Sequence, residues 1–315
     1  MPNQGLNSCP VCNTVLRKEG GVYSTDELLE LWAPVKFSKE TIEEHRKQSE
    51  FTQLYLCPVC MLGIYLPPII GTSRFYLDLL KHETRYFYSD EKWDFDEAMK
   101  DIKNCKSVME FGCGPGSFLE KVRPSVDQVY GTEYNEQALH VARKKGLTIF
   151  GADEKISDAL SGQIDVAFSF HVLEHVADPV GFIKEMFSWV KQDGKVGISV
   201  PNIDGPIKYI KPCISNMPPH HATHWNLRTF QILARVHGFK VERFAFEPLL
   251  SKDRSYYTEH WIQSIFPRDT MIKKVVRRIV RGVLSILFKV LLVFGKKSTS
   301  LLKGQSIYVL LSREG

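Results

Sequence analysis

The four cysteines nearest the start of the chain stand in two identical Cys-Pro-Val-Cys tetrapeptides, and they are Cys9, Cys12, Cys57 and Cys60. Two such pairs supply the four thiolates of a closed tetrahedral zinc site. The 44 residues between the pairs exceed the spacing of a common zinc ribbon, which predicts a helical insertion. A redox-active dithiol or a coincidental repeat is the alternative. We expect a structural zinc ion, because four thiolates leave no open position for a substrate.

A glycine-rich stretch, Glu-Phe-Gly-Cys-Gly-Pro-Gly at 110–116, joins an apolar run to a helical pattern. Gly112, Gly114 and Gly116 allow a tight turn and a close approach of the backbone to a ligand. The spacing departs from the dinucleotide fingerprint, which would need glycine at 117, and no Lys-Ser/Thr pair follows as in a P-loop. Glu133 ends the next apolar run, where a carboxylate can accept hydrogen bonds from two adjacent ribose hydroxyls.

A second candidate for chemistry is the histidine-rich loop Pro-Pro-His-His-Ala-Thr-His-Trp-Asn at 218–226. Histidine is the best general base near neutral pH, because much of the imidazole is then neutral. We expect His221, and after it His220, to act as the catalytic base, with His224 in the wall of the site. The alternatives are histidines that only cap or pack, and a metal site, which is disfavoured because no carboxylate accompanies the cluster at fixed helical spacing.

The elements that must position these residues alternate from residue 107 onward. Strands are predicted at 107–111, 128–132, 147–151, 165–170, 194–200, 240–246 and 306–311, and helices at 117–122, 135–145, 179–189 and 227–237. This alternation predicts an α/β fold with a parallel sheet covered on both faces. Ligands bind at the carboxyl edge of such sheets. The histidine loop follows the fifth strand and should therefore lie at that edge.

Together these motifs resemble those of class I S-adenosylmethionine-dependent methyltransferases, close to the small-molecule enzymes that include the ubiquinone-biosynthesis O-methyltransferases. The resemblance runs from about residue 107 to 238 and extends to the last strand. It implies a Rossmann-like seven-stranded sheet in the order 3-2-1-4-5-7-6, with strand seven antiparallel, and S-adenosylmethionine as cofactor. Some sugar methyltransferases also carry a similar cysteine-rich zinc unit ahead of the cofactor domain.

The same resemblance implies roles for individual residues around the cofactor. The methionine moiety would be flanked by the acidic residue and glycines of the turn, which are Glu110, Gly112, Gly114 and Gly116. Glu133 would bind the ribose, and Ala152 and Asp153 would lie beside the adenine. Phe170 and His171 would begin the segment at the cofactor and substrate entrance.

We expect three parts: a four-cysteine zinc-binding unit over 1–66, a helical connector over 67–106 and a methyltransferase domain over 107–315.

Charge is unevenly distributed along the chain. From residue 268 onward there are 11 Lys and Arg against 2 Asp and Glu, whereas residues 1–267 contain 30 Lys and Arg against 34 Asp and Glu. The basic apolar segment 271–294 has no uncharged run longer than seven residues, whereas a membrane-spanning helix needs about 20 apolar residues. It either lies on anionic lipid as an amphipathic insertion or packs on the sheet or a partner subunit.

These features predict a methyltransferase for a small or lipid-linked acceptor such as a sugar, a glycan intermediate or a quinone-like compound, with oxygen as the expected target. An RNA methyltransferase is the first alternative, against which the acidic first 267 residues argue, and a non-catalytic adaptor that binds the cofactor and zinc is the second. The odd number of cysteines and the lack of a secretory pattern predict a cytoplasmic protein. It would be peripheral at the inner membrane face if the basic segment 271–294 lies on lipid. Nucleic acid is not expected as a partner, and a homo-oligomer is left open.

Overall fold

The computed structural model describes residues 8–81, 92–152, 158–210, 212–249 and 303–315, and isolated positions 154, 156, 260, 278, 279, 282, 283 and 286. The segment 271–294 therefore lies outside the described residues, apart from five of these positions. Within the described part of the chain, none of the helices is long and apolar enough to cross a membrane.

The first part of the chain forms an antiparallel sheet with two helices. Its strands are β1 (Arg17–Ser24), β2 (Phe51–Leu56) and β3 (Gly63–Leu66), and helices α1 (Thr25–Glu30) and α2 (Lys39–Gln48) lie between β1 and β2. Ser24 and Ser38 begin the helices as side-chain caps. The helical insertion between the cysteine pairs is confirmed. The strands were not predicted, because β1 is largely exposed and contains two glycines, so it has no apolar alternation.

Helices α3 (Ser73–Leu80) and α4 (Trp93–Ala98) follow the small sheet. Phe95 of α4 packs against Phe118 and Phe170 of the next part of the chain, with ring centroids 5.2 and 5.0 Å apart. α4 is therefore fastened to the large sheet by aromatic contacts.

The large sheet has seven strands in the order β6-β5-β4-β7-β8-β11-β10, and β11 is antiparallel to both of its neighbours. The strands are β4 (Ser107–Phe111), β5 (Gln128–Thr132), β6 (Thr148–Phe150), β7 (Ile164–Phe170), β8 (Val190–Pro201), β10 (Phe239–Pro248) and β11 (Lys303–Arg313). The predicted order and the single antiparallel reversal are confirmed.

Helices cover both faces of this sheet: α5 (Ser117–Val122), α6 (Glu136–Lys144), α7 (Pro179–Trp189) and α8 (Leu227–His237). Met109 and Ala167 pack in one core cluster with residues of α7 and α8. Their neighbours in the strands, Val108 and Phe168, pack in a second cluster with residues of α4 and α5. Because successive side chains of a strand point to opposite faces, β4 and β7 are buried on both sides.

A short strand from the histidine loop, β9 (Thr223–His224), joins the small sheet as its fourth strand. It pairs antiparallel with β3, so that Gly63 lies opposite His224. The backbone N–H of Tyr65 also donates to the carbonyl of Ala222 at 2.9 Å. Strands between residues 17 and 66 thus share a sheet with the histidine loop, while the predicted domain boundaries stay a prediction.

Candidate functional site

The glycine-rich turn stands at the carboxyl end of the central strand β4. Gly112, Gly114 and Gly116 have φ values of 72°, 54° and 80°, in the left-handed region that glycine adopts without steric cost. A Cβ atom on Gly112 would lie 2.5 Å from Cγ2 of Val172. The turn therefore needs glycine both for its backbone conformation and for its contact with the segment that follows β7.

Two carboxyl groups line this turn, the half-buried Glu133 and the buried Glu110. Glu133 accepts hydrogen bonds from the backbone N–H groups of Gly114 at 2.7 Å and Asn135 at 2.6 Å, while burial raises its pKa. Glu110 is 2% exposed, and its Oε2 atom has no hydrogen-bond partner among the described residues. Burial also raises the pKa of Glu110 well above its ordinary value. A carboxyl group in such a position needs a donor or a positive charge as a partner.

S-adenosylmethionine supplies both, because it carries ribose hydroxyls, an ammonium group and a sulfonium. Glu133 is held beside the turn by its two backbone hydrogen bonds and keeps acceptor positions for ribose hydroxyls. The orphaned oxygen of Glu110 can accept from the ammonium group. The predicted residues of this turn thus lie together and fit the cofactor.

The remaining predicted cofactor residues are placed differently. Ala152 is exposed beyond the end of β6, and Asp153 lies outside the described residues. The ring of Phe170 is 5% exposed and packs against Phe118 at 4.7 Å between centroids. Phe170 therefore contributes to the aromatic core beneath the turn, and its role at the cofactor entrance stays a prediction.

His171 begins the segment after β7 with a positive φ of 56°, which is uncommon for a residue other than glycine. Its Nε2 lies 3.2 Å from Oδ2 of Asp94, and its Nδ1 lies 3.4 Å from Oε1 of Glu174. Burial alone would lower the pKa of His171, but the two carboxyl groups outweigh it and raise the pKa to about 10. His171 is therefore a cation at neutral pH, held between two acidic side chains.

Three further histidines form a cluster next to this cation: His175, His220 and His221. The ring of His175 lies 4.7 Å from that of His220 and 4.8 Å from that of His221, measured between centroids. His220 and His221 are 4% and 6% exposed. Burial, helped by the neighbouring imidazoles, lowers the pKa of both His220 and His221 well below the ordinary value. Both rings are therefore neutral at neutral pH.

Hydrogen bonds orient two of these rings. Nδ1 of His221 lies 3.0 Å from Oδ1 of Asn216, and Nδ1 of His175 lies against the backbone carbonyl of His220. The Asn216 oxygen at Nδ1 of His221 assigns the proton to Nδ1 and the lone pair to Nε2 of this ring. Nδ1 of His175 also lies 3.0 Å from the hydroxyl of Tyr76. His224 instead has its Nε2 2.7 Å from the backbone carbonyl of Asn216 and packs on Tyr65, which fits its predicted place in the wall.

One short segment, residues 170–175, joins the cofactor turn to the histidine cluster. Val172 touches the position of Gly112, as described above. Two residues further on, Oε1 of Glu174 lies 3.9 Å from Nε2 of His221. The backbone N–H of Ala222 donates to the carbonyl of Glu174 at 2.8 Å and fixes the histidine loop to the segment. The glycine turn and the histidine cluster are thus held side by side at the carboxyl edge of the sheet.

The four predicted zinc ligands also come together. Sγ of Cys9 lies 3.4 Å from Sγ of Cys60, and Sγ of Cys12 lies 3.4 Å from Sγ of Cys57. All four sulfur atoms lie within 4.8 Å of one another. These distances exclude disulfides, whose sulfur atoms are about 2.05 Å apart, and suit four thiolates around zinc at about 2.3 Å. The donor set fits a closed zinc site.

Sequence reasoning missed three residues of this site: Asp94, Glu174 and His175. Asp94 belongs to α4, far from the motifs, and nothing in the pattern of α4 marks it. Glu174 and His175 stand in the segment His-Val-Leu-Glu-His that the resemblance singled out, so their polar types in an apolar surrounding were the available signal. The carboxyl group that the histidine loop lacks in sequence is supplied by this segment.

The family model described as "Methyltransferase domain" matches residues 80–243, just over half of the chain. The ubiquinone biosynthesis O-methyltransferase of Pseudomonas paraeruginosa is 32% identical over 104 residues, which are 31% of this chain and 45% of that protein. The enzyme of the same name from Pectobacterium atrosepticum is 33% identical over 104 residues, 31% of this chain and 43% of that protein. The chain thus spans less than half the length of these curated relatives.

Among solved structures, a SAM-dependent methyltransferase from Archaeoglobus fulgidus is similar with a TM-score of 0.48 and 17% sequence identity. The match covers 76% of this chain and 99% of that one.

Proposed function

We propose that this chain, which belongs to the methyltransferase-domain family and transfers methyl groups from S-adenosylmethionine, acts on a hydroxyl group of a small or lipid-linked acceptor. The observation that carries the proposal is the buried cluster of neutral histidines beside the cofactor turn. Methylation of a hydroxyl group benefits from a nearby base, and this cluster offers one. The relatives named ubiquinone biosynthesis O-methyltransferase support oxygen as the target. A sugar, a glycan intermediate or a quinone-like compound would satisfy this chemistry.

The reaction is an in-line displacement at the methyl carbon. The acceptor hydroxyl gives its proton to Nε2 of His221, and a lone pair of the oxygen forms the new O–C bond. S-adenosylmethionine, held by Glu110, Glu133 and the glycines of the turn, would supply the methyl group, and its C–S bond would break as the O–C bond forms, so that the sulfur would end as a neutral thioether. Because His221 is neutral and its Nδ1 is held by Asn216, its Nε2 is prepared to receive the proton. His220 stacks on His221 at 4.4 Å between centroids and would orient the ring.

Most of the catalytic gain would come from alignment and from the exclusion of water, as expected for attack on an already activated carbon. His171, with its two acidic partners, fixes the segment that lies between donor and acceptor. The buried walls around His220 and His221 exclude competing water.

We further propose that the cluster of Cys9, Cys12, Cys57 and Cys60 holds a structural zinc ion and that the basic segment 271–294 brings the protein to an anionic membrane. The donor set and the sulfur distances support the first part. In support of the second, the described positions Ile279, Val283 and Ile286 are 61%, 51% and 63% exposed and are spaced as one face of a helix. A lipid-linked acceptor would be reached from such a surface.

The test is methyl transfer from radiolabelled S-adenosylmethionine to cell extract separated into lipid, sugar and RNA fractions. We expect label in the lipid or sugar fraction. His221→Ala should slow this transfer at least about tenfold, the lower range for loss of a general base, and leave the affinity for S-adenosylhomocysteine unchanged in calorimetry. His140→Ala, which removes an exposed histidine of α6, is the matched control. Label confined to RNA, or full turnover by His221→Ala, would refute the proposal.

A further inference from the structure

We propose that Arg243 of β10 is a positioning residue for methyl transfer, because it holds helix α4 in the place where Asp94 meets His171. This inference rests on the proposed function and deepens it, since Arg243 would act on the site through α4. The part of the site that it concerns is the segment 170–175, which joins the cofactor turn to the histidine cluster.

Helix α4 and the turn that follows it carry three acidic side chains at helical spacing, Asp94, Glu97 and Asp101. Residues three and four positions apart lie on one face of a helix, and the backbone hydrogen bond from the N–H of Asp101 to the carbonyl of Ala98 continues the turn. Asp94 and Glu97 are buried, and the side chain of Asp101 is 9% exposed. Buried carboxylates are costly unless they are paired. This face of α4 therefore needs cations from the elements against which it packs.

Arg243 pairs with two of the three carboxylates. Its Nε donates to Oδ1 of Asp101 at 2.8 Å, and its Nη1 donates to Oε2 of Glu97 at 2.9 Å. Its Nη2 donates to the backbone carbonyl of Glu97 at 2.6 Å and to Oδ2 of Asp101 at 2.7 Å. The hydroxyl of Tyr308 in β11 donates to the same Oδ2 at 2.9 Å, and the guanidinium lies 5.0 Å from the centre of the Tyr308 ring. The last turn of α4 is therefore fixed to both β10 and β11.

His171 pairs with the third carboxylate, at the first turn of α4. This helix has six residues, which are too few for a helix that is stable by itself, so its position depends on its contacts. Oδ2 of Asp94 lies 3.2 Å from Nε2 of His171. A displacement of α4 by about 1 Å would take these two atoms beyond the ~4 Å within which an ion pair is counted. Loss of the contacts at the last turn should therefore weaken the pair at the first turn.

The pair between Asp94 and His171 matters because it joins the segment 170–175 to another element. Of the two acidic partners of His171, Glu174 belongs to the same segment, whereas Asp94 belongs to α4. If the segment moves, the cofactor turn and the histidine cluster lose their relative alignment, and a misplacement of about 1 Å can cost about 10²-fold in rate. Arg243 takes no part in the chemistry, and it serves the reaction by keeping Asp94 in place.

The experiment is a pH titration of the full chain with isotope-labelled histidine, followed by NMR, with His171→Gln to assign the signal. Arg243→Met should lower the pKa of His171 by about 1 pH unit or more, the lower range for loss of one adjacent opposite charge. The sign separates two explanations, because removal of a nearby positive charge by itself would raise this pKa. Arg313→Met is the matched control and should leave the pKa unchanged, since Arg313 of β11 binds the backbone carbonyls of Lys191 and Phe187, which lie outside α4.

A double variant isolates the route through Asp94. Once Asp94→Asn has removed the pair, adding Arg243→Met should change neither the pKa of His171 nor the rate of methyl transfer any further. Each single variant should transfer methyl groups to cell extract about 10- to 100-fold more slowly than the unaltered protein. The other charged or titratable groups that influence this titration keep their identity in every variant, and they are Glu247 of β10 and the rings of His220 and His221, which act on His171, and Lys92, which acts on Asp94.

An unchanged or raised pKa of His171 in Arg243→Met would overturn this inference, as would additive losses in the double variant. If circular dichroism shows that Arg243→Met is unfolded, Arg243→Lys takes its place. Lysine keeps the charge without the fork that binds both carboxyl groups, so the pKa should again fall, and an unchanged pKa counts against the inference. The titration needs no ligand, whereas calorimetry with S-adenosylhomocysteine tests the proposed function. If the unaltered protein binds this product and only the titration fails, this inference alone is refuted; if it does not bind the product, the methyltransferase proposal falls first.

Discussion

Replacing Gly112 by alanine tests the contact that joins the cofactor turn to the segment after β7. Two costs are expected. A side chain at φ +72° is in the left-handed region, which costs an L-residue about 1 kcal/mol. The new Cβ atom would also lie 2.5 Å from Cγ2 of Val172, and overpacking of this kind costs about 1 to 3 kcal/mol.

Gly162→Ala is the matched control, because Gly162 has φ +68° and a Cβ atom there would meet nothing within 4 Å. It should show the backbone cost alone. The difference between the two variants in the free energy of unfolding, measured with urea, isolates the collision. We expect Gly112→Ala to be less stable than Gly162→Ala by about 1 to 3 kcal/mol.

The same collision should weaken cofactor binding. The turn would move to relieve the collision, and part of the binding energy would be needed to return the turn to its original conformation. An energy of about 1 to 3 kcal/mol corresponds to a roughly 5- to 150-fold rise in the Kd for S-adenosylhomocysteine. Adding Val172→Ala removes the colliding methyl group and should return both measurements toward those of Gly162→Ala. If Gly112→Ala matched Gly162→Ala in stability and in Kd, the assigned contact and the reasoning built on it would be wrong.

Two further predictions concern the charged groups of the site. Glu133→Gln should raise the Kd for S-adenosylhomocysteine about 10- to 100-fold in calorimetry, because a half-buried carboxylate that accepts from two backbone N–H groups becomes a donor on one side. The exposed control Glu19→Gln should leave the Kd unchanged. Folding raises the pKa of His171, so its ion pairs stabilise the folded protein while the imidazole is protonated. Their contribution to the free energy of unfolding should be fully present below about pH 6.5 and should be lost as the pH rises toward 10. Urea unfolding of His171→Gln should lack this decline, and an identical pH profile in the variant would contradict the assignment.

Local periodicity was sufficient to predict the elements of the large sheet. Strands such as 107–111 are short apolar runs bounded by turn residues, and helix 179–189 begins with a proline at its first turn. Each of these patterns lies within about a dozen residues, so it does not depend on contacts with the rest of the chain. The order of the strands came from the family resemblance, since periodicity contains no information about which strands are neighbours.

The candidate site was only partly predictable because its members meet through long-range contacts. Asp94 reaches His171 across 77 positions of sequence, and Glu174 reaches His221 across 47. The histidine loop itself contains no carboxylate, as expected, but in the folded chain the carboxyl group of Glu174 lies beside it. Glycine and acidic residues of the cofactor turn were predictable, because their roles depend on a single strand-to-helix connection and the strand beside it.

The four-cysteine unit and the segment that follows the histidine loop are joined by hydrogen bonds from side chains to backbone carbonyls. Thr229 donates through its hydroxyl to the carbonyl of Cys60 at 2.9 Å, and Arg228 donates to the carbonyl of Val59 at 2.7 Å. Both acceptors belong to the second cysteine pair, and both donors begin α8, directly after the histidine loop. Since β3 also pairs with β9, the histidine loop is held by the four-cysteine unit on one side and by the backbone of Glu174 on the other. A loop fixed on both sides keeps its buried histidines in one arrangement, which a long connection after β8 could not do alone.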